Sequence, residues 1–271
     1  MQQSLREVSL ETGMSITSVW RVLRRHKFHP YGVFLTQELK ESDYGHRHDF
    51  CEEMDMKMRH PDWLKKVCFS DESTFHLTGY VNRHNCRYWS TENPHVFREE
   101  HTQFPVKKNV WAGILGDDII GPFYIEGNLT GPKYLELLEN EIVPAMRQSA
   151  ANQNFRWNEV YFQQDGAPPH YSLVVRQYLH SVFNNRWIGR MGPIKWPARS
   201  PDLTPLDYFL WGYLKDRVFR TRPESLEEMC DRISEYCLIP NADMFQSVRE
   251  SFEERVLLCL HEEGKQFEHL L

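Results

Sequence analysis

Short apolar runs that stop at an aspartate, alternating with amphipathic stretches of helical period, constrain this chain more than any other feature. "KKVCFSDES" predicts a buried strand over Val67–Ser70 that ends at Asp71, and "EVYFQQDGAPPH" predicts a second one ending at Asp165. "GPKYLELLENEIVPAM" and "YSLVVRQYLHSVF" place apolar residues at helical spacing. "NVWAGILGDDIIGPFYIEG" holds two strand-like runs around Gly116-Asp117-Asp118, which predicts a hairpin. "RWIGRMGPIKWP" supplies one or two more short strands, and a long helix opens after "SPDLTP". Strands and helices mixed in this way predict an α/β domain, a central sheet with helices packed on it.

The residues ahead of that domain carry a different charge. Within residues 1–36, Arg6, Arg21, Arg24, Arg25 and Lys27 stand against Glu7 and Glu11, although the whole 271-residue chain has a net charge of −6. "SLREVSLETG" begins with the Ser-x-x-Glu capping pattern and ends at a glycine suited to close a helix. In "MSITSVWRVLRRH", Ser15 caps a second helix, with Val19, Val22 and Leu23 inward and Thr17, Ser18, Arg21, Arg24 and Arg25 outward. Two short helices about a tight turn predict a helix-turn-helix over residues 1–30. Its second helix would enter the major groove of double-stranded DNA, with Ser15, Thr17 and Ser18 at base edges and the arginines near phosphate. The alternative is an ordinary basic helical hairpin. Residues 31–59 read as a linker followed by a polar helix.

Several classes are excluded. No apolar run approaches the ~18 residues a bilayer span needs, and the N-terminus lacks a signal-peptide core, so an intracellular protein with no membrane segment is expected. The six cysteines, at 51, 68, 86, 230, 237 and 259, contain no CxxC pair, which argues for reduced thiols and against a zinc ribbon. His76, His84, His95 and His101 have no zinc-ligand spacing.

Asp71 and Asp165 each follow a strand directly, and strand ends are where side chains leave the core for solvent. If the two strands pair, the two acids share a site. A third acid comes from the helix start: with Thr204 as cap and Pro205 in the first position, Asp207 lies on the face of Leu210, Trp211 and Leu214. Its alternative role is to complete a capping box with Thr204. Asp202 precedes the helix in a Ser-Pro-Asp turn and reads as a turn or cap residue. Three converging carboxylates repel one another unless a cation neutralises them. The chemistry that uses such a cluster is two-metal phosphoryl transfer with Mg²⁺, for which Mn²⁺ substitutes. His170 lies near Asp165 in sequence and reads as a supporting or structural residue. Glu72 points to the opposite side of its strand from Asp71, and Lys107 and Lys108 are either solvated or near DNA phosphate.

"FSDES", "FQQDGAPPH" and "WPARSPDLTPLDYFLW" resemble the three motif blocks of mariner-superfamily DNA transposases, over about residues 4–236. The resemblance implies a ribonuclease-H-like catalytic fold over residues 60–240, a C-terminal helix over 241–271, and metal-binding catalytic residues at Asp71, Asp165 and Asp207. It implies cut-and-paste transposition: Mg²⁺-dependent cleavage at transposon terminal repeats, then joining of the 3′-hydroxyl to target DNA, in the nucleus. The 41 residues between Asp165 and Asp207 are more than mariner elements proper have and point to a sister branch. The family's two helical DNA-binding units would here be one, the second of the pair, so an N-terminally shortened copy is expected. The polar segment 80–109 would reach a second protomer of a homodimer, and "YGVFLTQEL" (31–39) stands where the family has its linker motif. The rival reading is a non-catalytic, domesticated DNA-binding protein derived from such an element; a glycosidase using paired carboxylates leaves the basic head unexplained.

Overall fold

The computed structural model describes residues 5–29, 37–78 and 106–271, and the chain divides into two compact units, residues 1–36 and 37–271. In the smaller unit, α1 (Leu5–Thr12) and α2 (Ile16–Arg25) meet through Gly13, whose φ of 68° is left-handed and suits glycine. The Ser15 side chain accepts a hydrogen bond from the Ser18 N–H and caps α2. Val19 is buried, but Val22, expected inward, is 46% exposed, and Leu23 is half-buried. Two helices of 8 and 10 residues share one narrow line of contact, too little to cover a whole apolar face. Ser4 lies outside the described residues.

The larger unit begins with α3 (Glu41–Met58). The helix expected beside a linker is part of this unit. Asp43, Arg47, Phe50, Cys51 and Met54 form one buried stripe along it at helical spacing.

Six strands follow in the sheet order β3-β2-β1-β4-β5-β6: β1 (Val67–His76), β2 (Lys107–Leu115), β3 (Asp118–Ile125), β4 (Tyr161–Gln163), β5 (Trp187–Gly189) and β6 (Ile194–Lys195). The first three are antiparallel, and β2 and β3 form the expected hairpin; β4, β5 and β6 add in parallel to β1. Between β3 and β4, α4 (Gly131–Leu137) continues through a π-helical turn (Leu138–Ile142) into α5 (Val143–Asn152). Then α6 (Leu173–Phe183) joins β4 to β5. After β6 come a π-helical turn (Leu206–Leu210), α7 (Trp211–Val218), α8 (Leu226–Cys237) and α9 (Ala242–His261).

Strand alternation splits the core in two. Phe69 and Phe75 of β1 with Val110, Ala112 and Ile114 of β2 pack on α3, α7, α8 and α9. Cys68, Trp111 and Leu115 point the other way, toward α4, α5 and α6.

β1 does not stop at Ser70. It runs six residues further, held by antiparallel pairing to β2 as far as His76↔Lys107. Its parallel pairing with β4 ends at Phe69↔Gln163. Asp71 therefore sits inside the strand, at the point where β4 has left its side. Lys108 belongs to β2 and pairs with Glu126. No helix among the described residues is long and apolar enough to cross a membrane. The described cysteines are free thiols.

Candidate active site

Where β4 ends, the gap beside β1 collects the acids. Asp71 points to the α7 side, and the Trp211 indole Nε1–H donates to its Oδ2 at 2.8 Å. Trp211 also packs edge-on against Phe75, four residues on from Asp71 and on the same face of β1. Asp165 lies two residues beyond β4, in the turn that leads to α6. Its Oδ1 takes two bonds, from the Ala167 N–H at 2.9 Å and from His170 Nδ1 at 2.6 Å.

Asp207 stands in the π-helical turn that opens into α7, with Leu206, Leu210, Trp211 and Leu214 buried around it. The Thr204 carbonyl accepts from the N–H groups of Asp207 and Tyr208 at 3.1 and 3.2 Å, so the helix does start at Thr204. Thr204 Oγ1 accepts from the Leu206 N–H at 3.4 Å, as a cap does, while the Thr204 N–H donates to the Pro201 carbonyl at 3.2 Å and not to Asp207. Asp207 is thus not tied up as a capping acid.

Asp202 has a different environment. Its carboxylate takes a two-pronged bond from the fully buried Arg47 of α3, at 2.8 and 2.6 Å. Arg47 also donates to Ser200 Oγ and to the Gly264 carbonyl, each at 2.8 Å. A second pair crosses the same boundary in reverse: Arg199 from the loop holds Asp43 of α3. The turn residue of the sequence reading is the acid half of a buried clamp, which α3 supplies.

The acids differ in charge as well as place. Burial opposes ionisation of Asp165, but the hydrogen bond and charge of His170 and the Ala167 N–H outweigh it and hold the carboxyl below its usual range. Asp207 is pushed up to about 6, first by the protein atoms that withhold water from it and then by the charge of Asp165, with Lys215 opposing. Its side chain still reaches solvent, so that shift is worth less free energy than a buried group's. Asp71 is driven well above the carboxylate range by burial, then by the charges of Asp207 and Glu72. Asp71 and Asp207 are thus both raised, each in part by the charge of another acid of the cluster.

Mutual repulsion of this kind is what a bound cation relieves. Asp71, Asp165 and Asp207 offer oxygen donors only, and both His170 nitrogens are taken by carboxylates. Such a set suits Mg²⁺ or Mn²⁺ and not a metal that prefers nitrogen or sulfur. The three acids are not drawn into a single tight ligand group. Among the described residues, the group whose ligand atoms all lie within 4.8 Å is His48, Asp49 and Glu52, on the exposed side of α3.

The sequence reading placed His170 in a supporting role and Glu72 opposite Asp71, but it missed what Trp211 does and that Glu72 meets His170. Trp211 read only as core, yet it orients Asp71. Glu72 does point away from Asp71, but it reaches His170 Nε2 at 3.2 Å on the other face of the sheet. His170 is 2% exposed, which removes it from direct contact with substrate. The signals were a tryptophan four residues after Asp207 and a histidine five after Asp165. In the smaller unit, Thr17, Arg21 and Arg25 are exposed, Ser18 is half-buried beside the Ser15 hydroxyl, and Arg24 pairs with His29. Most of segment 80–109 and residues 31–36 of the linker motif lie outside the described residues.

No protein-family model matches the chain. It is 28% identical over 205 residues to the Tc3 transposase of Caenorhabditis elegans, which covers 73% of this chain and 56% of that protein. It is 22% identical over 255 residues to the mariner Mos1 transposase of Drosophila mauritiana, covering 92% of this chain and 70% of that one. The chain thus spans little more than half the length of the Tc3 protein. Among solved structures, a Mos1 transposase paired-end complex with left transposon end aligns with a TM-score of 0.76 at 20% identity, covering 98% of this chain and 76% of that chain. Mos1 paired-end complexes with Mg and with Mn each align at 0.79 and 20% identity, with the same coverage. The Mos1 catalytic domain aligns at 0.66 and 20% identity, covering 87% of this chain and all of that one. The fold is the expected α/β, ribonuclease-H-like one.

Proposed function

We propose, for this homologue of the mariner and Tc1 transposases, that residues 37–271 form the catalytic domain of a cut-and-paste DNA transposase. The observation that carries the reading is that Asp71 and Asp165 lie where β4 leaves β1, with Asp71 raised by burial and then by the charge of Asp207, and Asp207 by burial and then by the charge of Asp165. In this reading the substrates are double-stranded transposon ends and target DNA, the products of cleavage carry a 3′-hydroxyl, and that hydroxyl attacks the target phosphodiester.

Asp71, Asp165 and Asp207 would hold divalent cations, Mg²⁺ with Mn²⁺ as a substitute. When bound, these activate the attacking oxygen and stabilise the leaving one. The chain itself supplies position. Trp211 fixes Asp71 through Oδ2, the turn 165–170 fixes Asp165 through Oδ1, and the π-helical turn before α7 carries Asp207 between buried leucines. The exposed face of α2, with Arg21 and Arg25, would grip DNA in the helix-turn-helix manner. A homodimer through segment 80–109 and residence in the nucleus belong to the same proposal.

The test is cleavage of an end-containing duplex by the full chain with Mg²⁺ and with Mn²⁺, alongside DNA binding. Replacing Asp71, Asp165 or Asp207 singly by Ala is expected to abolish cleavage and leave binding largely intact. Normal cutting by Asp207→Ala would remove it from the ligand set. Selective end binding by the unaltered chain, with no metal-dependent cutting, would leave a DNA-binding protein and no enzyme.

A further inference from the structure

On the α4 side of the sheet, away from Asp71, a buried histidine links two carboxylates. His170 Nδ1 lies 2.6 Å from Asp165 Oδ1, and Nε2 lies 3.2 Å from Glu72 Oε1. The ring rests on Tyr134, centroid to centroid 4.4 Å. Tyr134 in turn donates its hydroxyl to Gln164 Oε1 at 3.0 Å, and the Gln164 amide donates to the His170 carbonyl at 2.8 Å. The imidazole is therefore fixed at one face, at both nitrogens and through its own backbone.

This goes further than burying a histidine requires. A buried ring needs partners for its two nitrogens; here one partner is an acid of the candidate site. Both donors to Asp165, His170 and the Ala167 N–H, fall on Oδ1. Among the described residues none donates to Oδ2. We propose that His170 is a positioning residue: it occupies Oδ1 of Asp165 so that Oδ2 alone is presented to a divalent cation, and Glu72 sets the angle of the ring by engaging Nε2. The relay joins the two faces of the sheet, since Glu72 and Asp71 are neighbours on β1 that point oppositely. It works as outer partners of metal ligands do, by removing rotational freedom that the ligand would otherwise lose on binding. It rests on the reading of Asp165 as a metal ligand.

The experiment is Mn²⁺ binding to the full chain, metal alone and no DNA, followed by electron paramagnetic resonance, with thermal melting as the check on folding. His170→Phe removes the donor to Oδ1 and is expected to weaken Mn²⁺ binding about 10- to 100-fold. His170→Asn, which returns a neutral donor near the position of Nδ1, is expected to recover most of that loss. Glu72 is one-fifth exposed, so solvent can reach the space that Glu72→Ala opens, and thermal melting checks that the variant folds. It is expected to weaken binding several-fold, and Glu72→Gln to restore it, because the amide oxygen still accepts from Nε2. If His170→Phe is too unstable to assay, the Glu72 pair decides. Unchanged or tighter Mn²⁺ binding in Glu72→Ala and His170→Phe overturns the relay. Asp165→Asn separates the two failures: if it binds Mn²⁺ as the unaltered chain does, the assignment of Asp165 as a ligand falls, and the relay with it.

Discussion

The two acids of "SPDLTPLD" make opposite demands, and Asp202→Ala brings the difference out. Arg47 is 0% exposed at its side chain and makes four hydrogen bonds, two of them to Asp202. Deleting the Asp202 carboxylate leaves a buried guanidinium with half its hydrogen bonds and without the carboxylate that balances its charge. Breaking one side of a buried ion pair costs about 3–5 kcal/mol, against a total stability of about 5–15 kcal/mol for a typical folded domain. Asp202→Asn keeps one oxygen acceptor and loses the charge, so about 1.5–3 kcal/mol is expected. The joint replacement Arg47→Met with Asp202→Leu removes both charges together and should lie within about 1 kcal/mol of the original, or above it. With the single variants Arg47→Met and Asp202→Leu, that double variant and the original form a double-mutant cycle, read by urea unfolding with tryptophan fluorescence, since Trp63, Trp196 and Trp211 all lie in this half of the core. Asp207→Ala gives the contrast: stability kept and cleavage lost. An Asp202→Ala protein that unfolds at the same urea concentration as the original would refute the clamp.

The remaining predictions follow from the charges. The Asp207 carboxyl is raised from 3.8 to about 6 in the folded chain, so the folded state binds that proton more tightly than the unfolded one. The penalty is absent below about pH 4 and complete above about pH 6. Metal-free Asp207→Asn should therefore be more stable than the original at pH 8 by about 1 kcal/mol, discounted for solvent screening, and the gain should vanish as pH falls through that window. Melting curves in a chelator at pH 8 and pH 4 measure it; equal stability at pH 8 would mean that the Asp207 carboxyl is not raised in the folded chain. Arg21→Ala should weaken binding to double-stranded DNA and relax its sequence preference, read by fluorescence anisotropy on specific and scrambled duplexes. Unchanged affinity would take α2 out of DNA reading.

Much of this architecture was legible because apolar periodicity reports which face of an element is buried. The hairpin around Gly116, the strand before Asp165 and the helix after Thr204 all followed from it. The end of β1 did not, because Asp71, Glu72, Ser73 and Thr74 are polar and break off the apolar run. They stay in the strand because β2 pairs with them through to His76 and Phe75 anchors the far end in the core. The same polarity marks the site: the strand turns polar where β4 departs. In α3 the pattern failed for another reason. Its buried stripe includes Asp43 and Arg47, and a search for apolar positions passes over a buried face that carries charges. Their partners are 156 and 155 residues away in sequence, a pairing that no local pattern encodes.

The clamp also bears on why one acid of the motif is free to act. A helix start with two nearby carboxylates must satisfy the one that becomes buried and leave the other unpaired. Arg47 and Arg255 reach the Asp202 side chain and carbonyl, and Arg199 ties the preceding residues back to Asp43. The loop is thus fixed on both sides before the first turn of the helix begins. Asp207 needs no partner of its own to be held, since Leu206 and Leu210 bury the turn around it. A bond to a guanidinium would have lowered its pKa and occupied its oxygens. Without one, its carboxyl stays raised, facing the charge of Asp165. Positioning by neighbours, with no direct partner, is what keeps a carboxylate both ordered and available to a cation.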